Sequence, residues 1–278
     1  MTTNRLRQLA AALLVAVATT ACAQGASGKE EPKARLAKAE AMFAERCKKA
    51  GVFIHRTAEN VEGIFLMKLR SNEINYGDQF KMDDPYGSDT GDAGYIKNFL
   101  KGRTAKGSIS SNSDIVSKGY RYVEAIDEKD GKRYRYTGSM KAVRRMDVAA
   151  KGVQMALERN PNFDLNIYDF VLNKVPAPGP VPRYSVTYDD ISTREERDYW
   201  VAGSSLKVID LKTNEVMAER IGYMMDRGQG NTSGGRSPWL LAARNACPAF
   251  PMTSGSHPVQ IHQTRHFVEK VLRITQEN

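Results

Sequence analysis

The sequence predicts an α+β fold: a mostly antiparallel sheet with an N-terminal helix, a C-terminal helix pair and one long-range disulfide. Three observations lead there. Short runs rich in β-branched and aromatic residues are joined by Asp, Asn and Gly turns, the pattern of hairpins rather than of regular βαβ units. Stretches near both ends repeat apolar residues at helical spacing. Cys47 and Cys247 remain as an even pair once Cys22 is assigned to a leader, and in an oxidising compartment such a pair reads as a bond.

The leader comes first. Residues 1–8 hold Arg5, Arg7 and no acid, residues 9–18 (LAAALLVAVA) are uninterrupted apolar, and small residues follow. That order is a secretory signal, assigned here to residues 1–21. The apolar run is shorter than the roughly 20 residues that span a bilayer as a helix. Thr19-Thr20-Ala21-Cys22 resembles a bacterial lipobox, which implies an acylated Cys22 as the first mature residue. It departs from that motif at Thr19, where leucine is usual. Ala21-Cys22-Ala23 also fits ordinary signal peptidase, which would leave a soluble periplasmic or secreted protein. The lipobox reading is taken. Residues 22–32 then serve as a flexible tether, and Ala23, not being aspartate, implies the outer membrane.

Residues 33–278 are read as a single domain. The first helix covers 31–50, with Leu36, Ala39, Phe43 and Cys47 on one stripe and Gly51 as its stop. VFIHR (52–56) and GIFLMKL (63–69) read as strands, 71–94 as turn-rich, YIKNFLKG (95–102) as a short helix and TAKGSISSNSD (104–114) as a polar loop. YRYVEAID (120–127) and KRYRYTG (132–138) form a hairpin, because Asp130-Gly131 suits a tight turn. DVAAKGVQMALERN (147–160) is helical in pattern. In VPAPGPVPR (175–183) alternate prolines force extended chain, a candidate sub-boundary. RYSVTYDD (183–190) and SSLKVIDLKTNEVMAER (204–220), continued by IGYMM, supply further strands. Ser237 and Pro238 open the first C-terminal helix, which carries Leu240, Ala243 and Cys247 on one face. HQTRHFVEKVLRI (262–274) is the second, with Phe267, Val271 and Ile274 as its stripe.

Charge narrows the function. The chain carries +9; with Arg5 and Arg7 in the leader, +7 remains on the rest. That excess favours an anionic neighbour. Export argues against nucleic acid, so the partner is read as another envelope protein or an anionic envelope surface, with membrane attachment through the N-terminal lipid alone. No cofactor is read. The resulting expectation is a non-catalytic binding or assembly module facing the periplasm. The alternative is an envelope hydrolase acting on peptidoglycan or lipid, for which no catalytic residue set is legible.

Four stretches carry candidate chemistry. Asp83, Asp84, Asp89 and Asp92 could offer oxygen ligands to calcium, but lack EF-hand spacing and read better as a turn. RGQGNTSGGR (227–236) lacks the GK[ST] of a P-loop. A glycine loop before a helix can cradle an anion, and Arg227, Arg236 and Trp239 are the partner-binding candidates. His257, His262 and His266 could ligate a transition metal, yet nothing completes the set, and a surface histidine pair is the reading taken. KRYRYTGSMKAVRR (132–145) interleaves cations with tyrosines and reads as an exposed strand with charge on its solvent face.

Overall fold

The first helix, α1 (Pro32–Cys47), opens on a proline, whose missing N–H costs nothing in a first turn. Its stripe buries Ala39 and sets Phe43 against Val201, Met225 and Tyr199. The structure, a computed structural model, describes residues 30–71, 79–80, 82–87, 90–104, 115–117, 119–252 and 258–274. The leader, most of the tether with Cys22, positions 105–114 of the polar loop, Asp89 and His257 lie outside the described residues.

After α1 come β1 (Gly51–Ile54), β2 (Gly63–Leu66), α2 (Asp92–Leu100), β3 (Arg103–Thr104), β4 (Ile115–Ser117), β5 (Tyr122–Ile126) and β6 (Arg133–Arg145). Then follow α3 (Lys151–Arg159), β7 (Asn166–Pro176), β8 (Tyr184–Asp190), α4 (Arg194–Asp198), β9 (Val201–Asp210) and β10 (Glu215–Met225). The chain continues with α5 (Pro238–Ala242), β11 (Ala246–Cys247) and α6 (Gln263–Val271). One sheet runs β1-β10-β9-β8-β2-β5-β6-β7, with β11 also on β10; β3 and β4 pair apart from it.

The expected mostly antiparallel sheet is corrected to a mixed one. β2 lies in its middle and runs parallel to both β5 and β8. All four β2 residues are buried, as a strand covered on both faces requires. Hairpins announce themselves by local turns, whereas a parallel pair is joined by a long crossover that leaves no local mark. Here the β2–β5 crossover contains α2. The pairing of β7 is likewise without a local mark: it meets β6 from Tyr134↔Pro176 to Arg145↔Asn166, and the two are separated by α3 instead of a turn.

The expected C-terminal helix pair is also corrected. α5 stops at Ala242, and Cys247 lies on β11, paired with Tyr223. Pro248 follows Cys247, and a residue before proline is pushed out of the helical region into extended backbone. β1 and β11 pair with adjoining parts of β10: Gly51 faces Ile221 and Cys247 faces Tyr223. The Cys47–Cys247 disulfide, with Cα atoms 5.6 Å apart, therefore ties the end of α1 to this shared edge across 200 residues.

Against the sheet, α2 contributes Tyr95, Ile96, Phe99 and Leu100, and α6 contributes Phe267, Val268 and Val271. They meet Ile64, Leu66, Val123, Val186, Leu206 and Val208 in one core. Phe170 and Val186, on either side of the proline-rich stretch, belong to it together. α2 and α6 thus pack into the same core, which sets the end of α2 near the start of α6.

At one end of the sheet the fully buried Asp210 accepts from Arg183 at 3.0 and 2.8 Å and from Arg56 at 2.8 Å. The hydrogen bond from Arg183 is the main cause of a carboxyl pKa lowered from 3.8 to about 2. A depressed folded-state pKa contributes stability above the unfolded value and loses it as pH falls through the folded one. Unfolding free energy should therefore drop by about 1–2 kcal/mol between pH 4 and pH 2, a figure discounted for the half-exposed arginines. Asp210→Asn should remove that dependence in urea titrations across the range. Separately, replacing Cys47 and Cys247 by alanine should lower stability by about 2–5 kcal/mol, the upper value being the loop-entropy estimate for so long a closure. The urea midpoint of the double variant checks it.

Candidate functional site

Asp83 and Asp84 face the protein's own cations. Asp83 accepts from the Tyr188 hydroxyl at 3.0 Å and pairs with Lys68 at 2.8 Å. Asp84 is fully buried, 2.9 Å from the equally buried Arg70, and also accepts from the Gly87 amide. The Arg70 guanidinium lies 3.9 Å from the Tyr188 ring centre. Asp92 opens α2, its amide donating to the Arg70 carbonyl. Among the described residues no group of three His, Cys, Asp or Glu side chains could hold a metal ion.

The glycine loop does cradle an anion, but one supplied by the chain itself. Asp226, fully buried at the end of β10, accepts from the Gly228 amide at 3.0 Å and the Gly230 amide at 2.8 Å. Arg236 closes the arrangement, with one nitrogen 2.9 Å from the carboxylate and the other on its second oxygen. Gly230 has φ +81°, and a Cβ there would stand 2.3 Å from the Trp200 ring, so only glycine passes beneath that indole. Trp239 is buried, its ring 5.1 Å from Trp200. Arg227 pairs with Glu40 on α1. The three partner-binding candidates are thus dispersed: Trp239 in the core, Arg236 on Asp226, and Arg227 at the surface.

The described residues do bring His262 and His266 into a cavity of about 540 Å³, bounded by α2, the start of α6 and β7. Helical spacing explains it. α6 turns Phe267, Val268 and Val271 to the core, which leaves positions 262, 265 and 266 on an adjoining face. α2 likewise turns Ile96, Phe99 and Leu100 inward and offers Lys97 and Lys101, four apart, to the cavity. The two imidazole centres are 6.5 Å apart. His262 takes a left-handed conformation, φ 67°, where the chain turns into α6.

Arg265 locks the two helices together. It is buried, and its guanidinium donates to the Gly102 carbonyl at 3.0 Å and the Asn98 carbonyl at 3.4 Å, covering the C-terminal end of α2. Glu269 lies 3.5 Å away. On the opposite wall Asp169 of β7 stands 3.6 Å from Lys97, and Asn98 donates to the Thr90 hydroxyl at 2.6 Å. Three permanent cations and two imidazoles thus share the cavity with one carboxylate. Such a set suits an anion such as a phosphate or carboxylate group.

Sequence reasoning singled out His262 and His266 but missed Arg265, Lys97 and Lys101. The signal was present: Arg265 sits between the histidines, and the two lysines share a helix face. What the sequence does not contain is the approach of α2 to α6. The chain matches no family model, no curated protein and no solved structure.

Asp84→Ala should cost about 3–5 kcal/mol, because it leaves the Arg70 guanidinium buried without its counterion. Urea unfolding measures the loss, and calcium should leave the wild-type midpoint unchanged.

Proposed function

We propose that this is an exported envelope protein, held at the periplasmic face of the outer membrane by lipid on Cys22. In this reading it is a non-catalytic module that binds an anionic group of an envelope component. One observation carries the binding assignment: Lys97, Lys101, Arg265, His262 and His266 converge on one cavity. The disulfide across 200 residues supports an oxidising compartment. Lys97 and Lys101 supply charge from flexible stems, and Arg265, fixed by the α2 carbonyls, supplies a rigid edge.

Titration calorimetry with inorganic phosphate tests the pocket. Lys97→Ala combined with Lys101→Ala should weaken binding by about tenfold or more, two charge-assisted contacts being lost. Absence of phosphate binding by the wild-type protein would defeat the reading. The anchor is tested separately, by the intact mass of the protein from its own envelope.

The histidine pair favours one second reading, an envelope hydrolase acting on a phosphate ester of a lipid. In it the imidazoles would exchange protons with the reacting group and the cations would hold the phosphoryl oxygens. Turnover of such an ester, lost in His262→Ala and His266→Ala while phosphate binding persists, would establish it over the binding module.

A further inference from the structure

Beyond the Met140–Phe170 pair, where Phe170 is the last core residue of β7, the β6–β7 ribbon runs on without a buried side chain. From Ser139 to Arg145 every side chain of β6 is exposed, and α3, which joins the two strands, has no buried residue. At about 3.3 Å per residue the ribbon carries α3 roughly 15 Å past that pair. A two-stranded ribbon is marginal by itself.

The buried acids elsewhere are each held by an arginine. On the arm, Lys141, Arg144, Arg145, Lys151 and Arg159 form no salt bridge among the described residues. Its three acids leave a net charge of +2 over residues 139–165. Two of those acids are engaged locally: Asp147 accepts from the Ala149 amide and Asp164 from Asn166. Large apolar side chains stand in the open between the cations: Met140 at 41%, Val143 at 51%, Val148 at 52% and Met155 at 44% exposure. On α3 the order is regular. Lys151, Met155 and Arg159 follow at four-residue steps along one face, while Val153, Ala156 and Leu157, on another, are half-buried.

We infer that this arm is a docking surface for a bilayer containing anionic phospholipid. Cations at headgroup level and isolated apolar side chains reaching just below it are what an interfacial element requires. Met155 between Lys151 and Arg159 fits that depth profile, with the long cationic stems reaching back to the phosphates. A second copy of the chain is disfavoured as occupant, since it would bring another net positive arm. The inference rests on neither the cationic pocket nor the lipid at Cys22.

Co-sedimentation of the full chain with vesicles tests it, comparing phosphatidylcholine alone with mixtures containing phosphatidylglycerol. The N-terminal segment contributes equally to every variant, so the arm is read from the phosphatidylglycerol-dependent gain. Lys141→Glu, Arg144→Glu and Lys151→Glu together should reduce that gain by at least about tenfold, at roughly a fivefold factor per surface cation. High salt should do the same. Met155→Ser with Val148→Ser leaves the charge intact and should weaken binding severalfold. An unchanged circular dichroism melt shows that these exposed substitutions leave the fold in place. No phosphatidylglycerol-dependent gain, or a gain that survives charge reversal, would overturn the inference. Binding of the arm to polyglutamate without binding to vesicles would overturn it in favour of an acidic protein partner.

Discussion

An arginine faces each acid that the fold takes out of water. Among the described residues the buried acids are Asp84, Glu124, Glu196, Asp210 and Asp226. Their partners are Arg70, Arg133 with Arg135, Arg46, Arg56 with Arg183, and Arg236. A carboxylate in a protein interior is tolerated only when its desolvation is offset by a close, well-directed cation. Arginine suits this because its fork can serve a carboxylate and carbonyls at once. These pairs join distant parts of the chain: Arg46 on α1 meets Glu196 on α4, and Arg56 after β1 reaches Asp210 on β9. They specify how the elements sit more than they add net stability, since a buried pair roughly breaks even against apolar packing while its half-broken form does not.

This changes the meaning of the basic composition. An excess of +7 suggests a uniformly cationic surface, but many arginines are spent inside. Arg70 and Arg197 are almost inaccessible, the latter donating to the Met82 carbonyl at 2.7 Å and to Asp190 at 2.5 Å. The cations outside these buried pairs include Lys101 at the α2–α6 cavity and Lys141, Arg144, Arg145, Lys151 and Arg159 on the β6–α3–β7 arm. β7 belongs to both: Asp169 lines the cavity, while the far end of the strand carries the arm. An anionic surface engaging the arm would therefore lie along the strand that walls the pocket.

The glycine-rich loop shows how a motif's local chemistry can be met from within the chain. Glycine amides ahead of a helix can cradle an anion, although the stretch by itself reads better as a mobile loop, and in the structure they do. The anion is the side chain of Asp226, one residue before Arg227. A loop so occupied is a rigid support for Trp200 and Trp239 and presents no open anion site.

Local rules carried the local elements. The α1 stripe, the β5–β6 and β9–β10 hairpins and the closing helix follow from periodicity and turn chemistry, because each is stabilised by residues close in sequence. The even cysteine count pointed to the disulfide for a different reason: it depends on compartment and stoichiometry, not on geometry. The parallel placement of β2, the pairing of β7 with β6 and the strand at Cys247 were decided by contacts between residues far apart in sequence, for which no local pattern exists. The same holds for the candidate site. His262 and His266 are visible as a pair in the sequence, but Lys97 and Lys101 join them only because α2 and α6 pack into one core and Arg265 bonds the end of α2. Composition and short-range pattern determined what the pieces are; burial of the apolar faces, with arginines placed on the buried acids, decided which pieces meet.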